Sequence, residues 1–550
     1  MVGRPLHIVH PHGRSENSPS GGAIGARSAE PRNSMETGIL GTDKICAVVA
    51  ASDASSMRRQ LVRALRQTRT IELRLDWLSD EREITRLLAW LGSQGLRARL
   101  IATCRRRQAG GRFRGTIAKQ LVHLAAAIRA GCTWYDLEIE SSARCPPELV
   151  DVLLGEGRQL SSAHFFGRMP ANLEQVARTL SRSGADAIKI AAQCDSLAQS
   201  RKLLRLARTR PNIVTVPMGD AGLPGRLLAL REGSALTYAP VENATAPGQI
   251  SLEDMKHVYR ADRLDRRTRI YGVIGNPIGH SLSPVMQNAG FAARRMNATY
   301  LPFLVRDLRD FLDAIEPFRI GGFSITLPHK ERILRHLDRC DPLAAAIGAV
   351  NTVVVRGGRK LYGYNTDYVG VLRTLASRIA LRGSRVLILG AGGAARAAAF
   401  ALAGAGAGVY ICSRRQRPAQ EMAKAVGGQA MPRKRLRHEF FDAIVNATPL
   451  GMYPMVQNSP LEDRELNCRL VFDTIYRPRV SRLLQLATRK GIDTVSGVEM
   501  FVAQGTAQWE IWTGERAPIA AMRRAVVRAL EREEKTLHAS KGGRQTGSPS

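Results

Sequence analysis

The chain has 550 residues, too many for a single ordinary hydrophobic core, so two or three domains are expected and a lone small binding module is excluded. Apolar residues make up 44% and charged residues 23%, and no run of 18 apolar residues occurs, which excludes a membrane-spanning helix. A net charge of +33 invites an acidic partner such as nucleic acid, but the arginines are scattered through every helical pattern, with no dense basic tail and no aromatic interleaving.

A basic surface facing anionic small molecules fits that distribution better, so neither a nucleic-acid nor a membrane partner is expected. Residues 1–42 are rich in Gly, Ser, Pro and Arg without periodicity and read as a disordered extension or an upstream start-site artefact. They contain Glu16, Glu30 and Glu36 and no apolar core of a secretory signal. The eight cysteines lie apart without CxxC pairs, so neither a zinc site nor a disulfide framework is signalled. A cytoplasmic protein without a metal is the expectation.

From Ile45 to Pro240, β-branched runs alternate with amphipathic, arginine-rich helical patterns. The runs are ICAVVAAS, TIELRL, RLIATC, WYDLEI, QLSSAHF, AIKIAA, IVTVPM and ALTYAP, eight in all. Eight strand–helix units predict a (β/α)8 barrel over 43–256, with functional groups at the C-terminal ends of the strands. Glu72, Arg74 and Asp76 alternate with leucines, so a period of two aims all three to one side of the second strand. Arg105 follows the third strand, Asp136 and Glu138 lie on the fourth, His164 ends the fifth and Lys189 sits in the apolar sixth. An ammonium buried there, beside cations such as Arg74, Arg105 and Arg226, reads as an amine kept neutral to attack a ketone, with His164 one strand away to move protons.

These runs, with TCRRRQAGGRF, PGR and ATAPGQI, resemble the type I 3-dehydroquinate dehydratases over about 45–250. The resemblance implies that Lys189 forms an imine with the substrate ketone and that His164 removes the C2 proton and helps the C1 hydroxyl leave. It assigns Glu72, Arg74, Arg105, Arg226, Thr245 and Gln249 to the substrate's carboxylate and hydroxyls. Two positions depart from the family pattern: Ala109 stands where an acid orients the histidine, and Phe165 follows His164 in place of Asp or Asn.

After a linker at 257–268, RIYGVIGNPIGHSLSPVMQNAGF opens a new domain, expected to run over 269–375. Over 376–496, SRVLILGAGGAARAAAFALAGAGAGVYICSRR reads as strand, glycine turn, helix and second strand, the start of a Rossmann domain. Gly390, Ala391 and Gly392 make the tight turn, and Gly393 and Ala394 open a helix whose N-terminus favours a pyrophosphate. Ser413, Arg414, Arg415 and Arg417 stand where an acid would grip a ribose hydroxyl; they favour a phosphate there, hence NADP.

The motifs SLSP, FSITLPHK, AVNTV, YNTDYVG, NATPLGM and GVEMFVAQ resemble shikimate dehydrogenase over about 270–514. The resemblance places Ser281, Ser283, Thr326, Asn351 and Gln504 on the substrate, pairs Lys330 with Asp367 for proton transfer, and sets Asn446, Thr448, Tyr476 and Gly497 beside the cofactor. A helical segment at 497–535 would complete the substrate domain, before a disordered tail at 536–550. Joined, the halves resemble the fused dehydratase–dehydrogenase enzymes of the shikimate pathway: a barrel followed by a two-domain α/β dehydrogenase, acting on carboxylate substrates. Ala109 and Phe165 leave open the alternative of a quinate/shikimate dehydrogenase carrying an inactive or regulatory barrel.

Overall fold

In the computed structural model the described residues are 43–145, 150, 155–242, 248–279 and 281–542, with side chains to 535. The expected N-terminal extension lies outside them.

Eight parallel strands form the first sheet: β1 (Ile45–Val49), β2 (Thr70–Arg74), β3 (Arg99–Thr103), β4 (Trp134–Glu138), β5 (Arg158–Phe165), β6 (Ala187–Gln193), β7 (Ile213–Met218) and β8 (Thr237–Pro240). Their order is β7-β6-β5-β4-β3-β2-β1-β8, so β8 turns back to pair with β1. No ladder joins β7 to β8; the seam carries the hydrogen bond from Ala235 N–H to Ile213 O, at 2.9 Å. Alternation decides what fills the bore. On β4, Trp134 packs inward with Cys46, Val48, Leu160 and Tyr238, while Tyr135 and Leu137 face the surrounding helices. The bore is thus a packed core, and polar groups reach free space only at the C-terminal ends of the strands. Surrounding helices begin at side-chain caps such as Asp53, Asp80 and Ser196, which accept backbone N–H groups of the first turn.

The expectation that Asp76 lies on the second strand is corrected. β2 ends at Arg74, and Leu75–Trp77 forms a short 3-10 turn that carries Asp76. The turn folds back far enough for the Asp76 carboxylate to take both Arg74 Nε (2.9 Å) and Nη2 (2.8 Å).

The second sheet contains β9 (Arg269–Gly275), β10 (Ala298–Leu304), β11 (Ile320–Ile325), β12 (Arg339–Cys340), β13 (Thr352–Arg356) and β14 (Lys360–Tyr364), in the order β10-β9-β11-β13-β14-β12. β9, β10 and β11 run parallel, whereas β13 is antiparallel to β11 and β14. The third sheet is wholly parallel: β15 (Arg385–Leu389), β16 (Gly408–Cys412), β17 (Gln429–Ala430), β18 (Phe441–Asn446), β19 (Cys468–Asp473) and β20 (Asp493–Val495). Its order, β17-β16-β15-β18-β19-β20, is the 3-2-1-4-5-6 arrangement of a dinucleotide-binding fold.

The helix Gly497–Thr513 returns to the second sheet, burying Trp509 against Phe291 and Trp512 against Tyr271. The next helix, Ile519–Gly542, runs past 536, where a tail is expected from the sequence. The expected linker is packed, with a 3-10 turn at Ala261–Arg263 and with Ala261 and Leu264 buried. Asp310 of the second half accepts hydrogen bonds from Leu197 N–H (2.7 Å) and Ala198 N–H (2.9 Å), which open a barrel helix. Arg201 adds a bond to Asp313 O at 2.8 Å. No described helix is long and apolar enough to cross a membrane.

Candidate active sites

Lys189 is 3% exposed and extends from β6 into the barrel. Its register opposite Ser162 sets it one inward-facing layer below His164, which pairs with Ala191. Of the expected cations Arg105 stands near Lys189, but the group in contact with the ammonium is the Asp136 carboxylate, with Glu72 Oε1 at 3.8 Å. Asp136 Oδ2 also takes Arg105 Nη2 at 2.8 Å, and Oδ1 takes the Ser162 hydroxyl at 2.6 Å. Burial alone would raise this carboxyl; Arg105 and Lys189 outweigh it and hold Asp136 well below the usual carboxylate range. The ring of Tyr238 faces the ammonium from 4.8 Å.

His164 is pushed well below the ordinary imidazole range, first by burial and then by Arg105 and Lys189. Its Nδ1 is buried without a partner among the described residues. Ala109, where the family pattern has an acid, is 8% exposed and supplies no acceptor. Glu72 is fixed by Thr103 (2.9 Å) and Arg74 by Asp76. Arg226 sits on the helix Leu223–Glu232 that follows β7, 2% exposed, and burial brings its guanidinium down to about 10. Gln249 is half-buried, and Thr245 lies outside the described residues.

In the second half, Lys330 Nζ donates to Asp367 Oδ2 at 2.6 Å, and Asn351 Nδ2 donates to Asp367 Oδ1 at 2.8 Å. Lys330 leaves the turn after β11, Asn351 precedes β13, and Asp367 opens the helix Asp367–Ala376, so three elements converge on one carboxylate. Gln504 lies beside that helix, where a Cβ on Gly370 would stand 3.2 Å from its own. Ser283 is buried and Ser281 half-buried at the start of the helix Ser283–Ala293, and Thr326 packs over Gly275. A hydrogen-bonded relay reaches the backbone of Asn351 from the second sheet. Tyr300 hydroxyl donates to Ser324 Oγ at 2.6 Å, Ser324 to Gln508 Oε1 at 2.8 Å, and Gln508 Nε2 to Asn351 O at 3.3 Å.

The glycine turn has the shape of a phosphate cradle. Gly390 has φ +109°, and a Cβ there would meet Ala447 O at 3.0 Å, so glycine is required. Added Cβ atoms at Gly392 and Gly393 would meet only open space, at the N-terminus of the helix Gly393–Gly404 that also carries Ala394. Ser413, Arg414 and Arg415 follow β16, both arginines exposed; Arg417 pairs instead with Glu421 at 2.8 Å. These features fit a dinucleotide bearing an additional phosphate.

The buried Asn446 side chain is engaged within the protein. Its Nδ2 donates to Asp473 (3.0 Å), and its Oδ1 accepts Thr448 N–H (3.0 Å) and hydroxyl (2.7 Å), so it shapes the turn that carries Thr448. Tyr476 stacks on Phe501 with centroids 4.6 Å apart, and Gly497 passes so near Thr474 O that a Cβ would stand 2.3 Å from it. Sequence reasoning placed Asp136 on the fourth strand without joining it to Lys189, and it missed Ser162, Tyr238, Gln508 and Asp473. Only the period-two alternation on β4 and β8 carries a signal for Asp136 and Tyr238. Among the described residues, no group of three or more His, Cys, Asp and Glu side chains is arranged to hold a metal ion.

Residues 45–266 match the model of type I 3-dehydroquinase, 273–353 that of the shikimate dehydrogenase substrate binding domain, and 497–527 that of the shikimate 5'-dehydrogenase C-terminal domain. A chloroplastic bifunctional 3-dehydroquinate dehydratase/shikimate dehydrogenase of Arabidopsis thaliana is 32% identical over 541 residues, 94% of this chain and 89% of its own length. A shikimate dehydrogenase (NADP(+)) of Symbiobacterium thermophilum is 42% identical over 284 residues, 48% of this chain and 95% of its own. The solved shikimate 5-dehydrogenase of Thermus thermophilus, in complex with NADP(H) and shikimate, is 36% identical at TM-score 0.45, covering 48% of this chain and 100% of that one.

Proposed function

Because the chain belongs to the bifunctional 3-dehydroquinate dehydratase/shikimate dehydrogenase family, we propose that its barrel dehydrates 3-dehydroquinate to 3-dehydroshikimate and its second half reduces that product to shikimate. The observation that carries the first step is a lysine 3% exposed on β6 with a histidine one layer nearer the mouth.

The Lys189 amine adds to the substrate ketone, and loss of water gives a cationic imine that withdraws electrons from C2. His164, kept neutral by burial, takes the C2 proton and then protonates the C1 hydroxyl, which leaves as water. Hydrolysis of the imine frees Lys189. Asp136, ionised throughout, and the Tyr238 ring stabilise the positive charge on nitrogen. Arg226, Arg74, Arg105, Glu72 and Gln249 hold the carboxylate and hydroxyls, with guanidinium as the bidentate partner of the carboxylate.

In the second half, Ser281 and Ser283 bind the substrate carboxylate, and Asn351, Thr326 and Gln504 its ring. The turn at Gly390, Ala391 and Gly392 and the helix opening at Gly393 and Ala394 hold the pyrophosphate of NADP; Ser413, Arg414 and Arg415 hold its extra phosphate; Thr448, Tyr476 and Gly497 border the nicotinamide side. NADPH, when bound, supplies the hydride. Lys330 delivers the proton that the developing alkoxide needs, and Asp367 orients the ammonium and balances its charge.

A second reading keeps the dehydrogenase and retires the barrel. It rests on the unpartnered His164 Nδ1 beside Ala109. Treating the full chain with dehydroquinate and borohydride separates the two: a reduced adduct mapped to Lys189 supports the Schiff-base barrel, whereas no adduct together with intact NADP-linked shikimate oxidation supports the second reading.

A further inference from the structure

β10 and β11 flank β9 in parallel, so the turns leaving them open on the same edge of the sheet. The turn after β10 contributes Arg306 and Arg309, and the one after β11 contributes His329, Arg332, Arg335 and His336. Together they line a cavity of ≈ 400 Å³. One acid, Asp307, joins them, and its carboxylate is engaged by Arg309 N–H at 2.9 Å. Among the described residues, the ion pairs include none of the four arginines; the adjacent Lys330 pairs with Asp367. Like charges gathered in one concavity raise the local potential and concentrate anions there.

The wall of the cavity is built as well as charged. His329 is 1% exposed, and its Nε2 lies 2.8 Å from Val305 O. A carbonyl only accepts, so Nε2 carries a proton, and Nδ1 is buried without a partner among the described residues. A ligand that brings several negative charges satisfies the guanidiniums together. None of the residues assigned above to the substrate lines the cavity, and His329 turns to Val305 while Lys330, the next residue, turns to Asp367.

We propose that this cavity is a binding site for a small polyanion, a phosphate ester, diphosphate or hydroxy-polycarboxylate, distinct from the sites for the monocarboxylate substrates and for NADP. A single carboxylate matches one guanidinium of the four, whereas a diphosphate or tricarboxylate matches several at once through bidentate contacts.

The test uses the full chain with saturating NADP+, which fills the cofactor's own phosphate contacts. Pyrophosphate and, separately, citrate are titrated by calorimetry at constant ionic strength. We expect one-to-one binding of at least one probe, weakened about 10-fold or more in the double variant R332Q/R335Q, whose NADP+ affinity and shikimate oxidation stay within about 2-fold. Tighter binding of pyrophosphate identifies phosphate chemistry as the natural ligand class, and tighter binding of citrate identifies a polycarboxylate. Absence of saturable binding by either probe, or binding undiminished in the double variant, overturns the proposal.

Discussion

The imidazole of His164 lies over the phenyl ring of Phe166, with centroids 6.1 Å apart and planes 13° from parallel. The same ring covers Gly110, where a Cβ would stand 2.1 Å from it, and Gly110 has φ +76°. Phe166 therefore packs both the proposed general base and the turn that carries Ala109. His164 Nδ1 has no partner among the described residues, so the ring contact is expected to help orient the imidazole. Phe166→Ala is expected to lower kcat for dehydration about 10-fold with little change in KM, as initial-rate kinetics with dehydroquinate will show.

The charge state of His164 sets a pH limb. Burial first, then Arg105 and Lys189, disfavour the imidazolium, so the neutral base persists to lower pH than in a solvated histidine. The acid limb of kcat/KM for dehydration is expected below 6.5, the ordinary imidazole value. A rate profile with its limb at or above that value contradicts the assignment.

Asp136 joins two buried cations through one carboxylate. Asp136→Asn leaves Lys189 and Arg105 without that charge and should cost about 3–5 kcal/mol of stability in denaturant unfolding. Removing a cation at the same time, in Asp136→Asn with Lys189→Met, should recover part of the loss. If the double variant is no more stable than the single one, the pair is not what holds these groups.

Lys330→Ala is expected to reduce NADP-linked shikimate oxidation by about 100-fold or more, while dehydroquinate dehydration in the same preparation stays unchanged. Loss of both activities would point to misfolding rather than to a missing proton donor.

Arg414 and Arg415 are exposed and follow β16, whereas Arg417 is occupied by Glu421. Replacing the first two by Gln should raise KM for NADP+ about 10-fold or more and leave weak use of NAD+ nearly as it was, because the loss falls on a phosphate contact. Arg417→Gln should do neither.

The architecture was largely legible from the chain because its strands are buried on both faces and read as apolar runs, which let eight of them be counted and let Lys189 stand out. Glycine turns and local motifs placed Lys330, Asp367 and Gly390 in the same way. Contacts made across long stretches of chain were not legible. The Lys189–Asp136 pair spans 53 residues and the Ser324–Gln508 bond 184. Periodicity assigns a residue to a face but does not name the residue it meets. Asp76 shows the limit locally: alternation put it on the correct side, yet the strand had already ended.

The cap that Asp310 places on Leu197 and Ala198 also bears on any attempt to cut the chain in two. A barrel expressed without the second half would carry two helix-opening N–H groups stripped of their acceptor, and water would have to take its place.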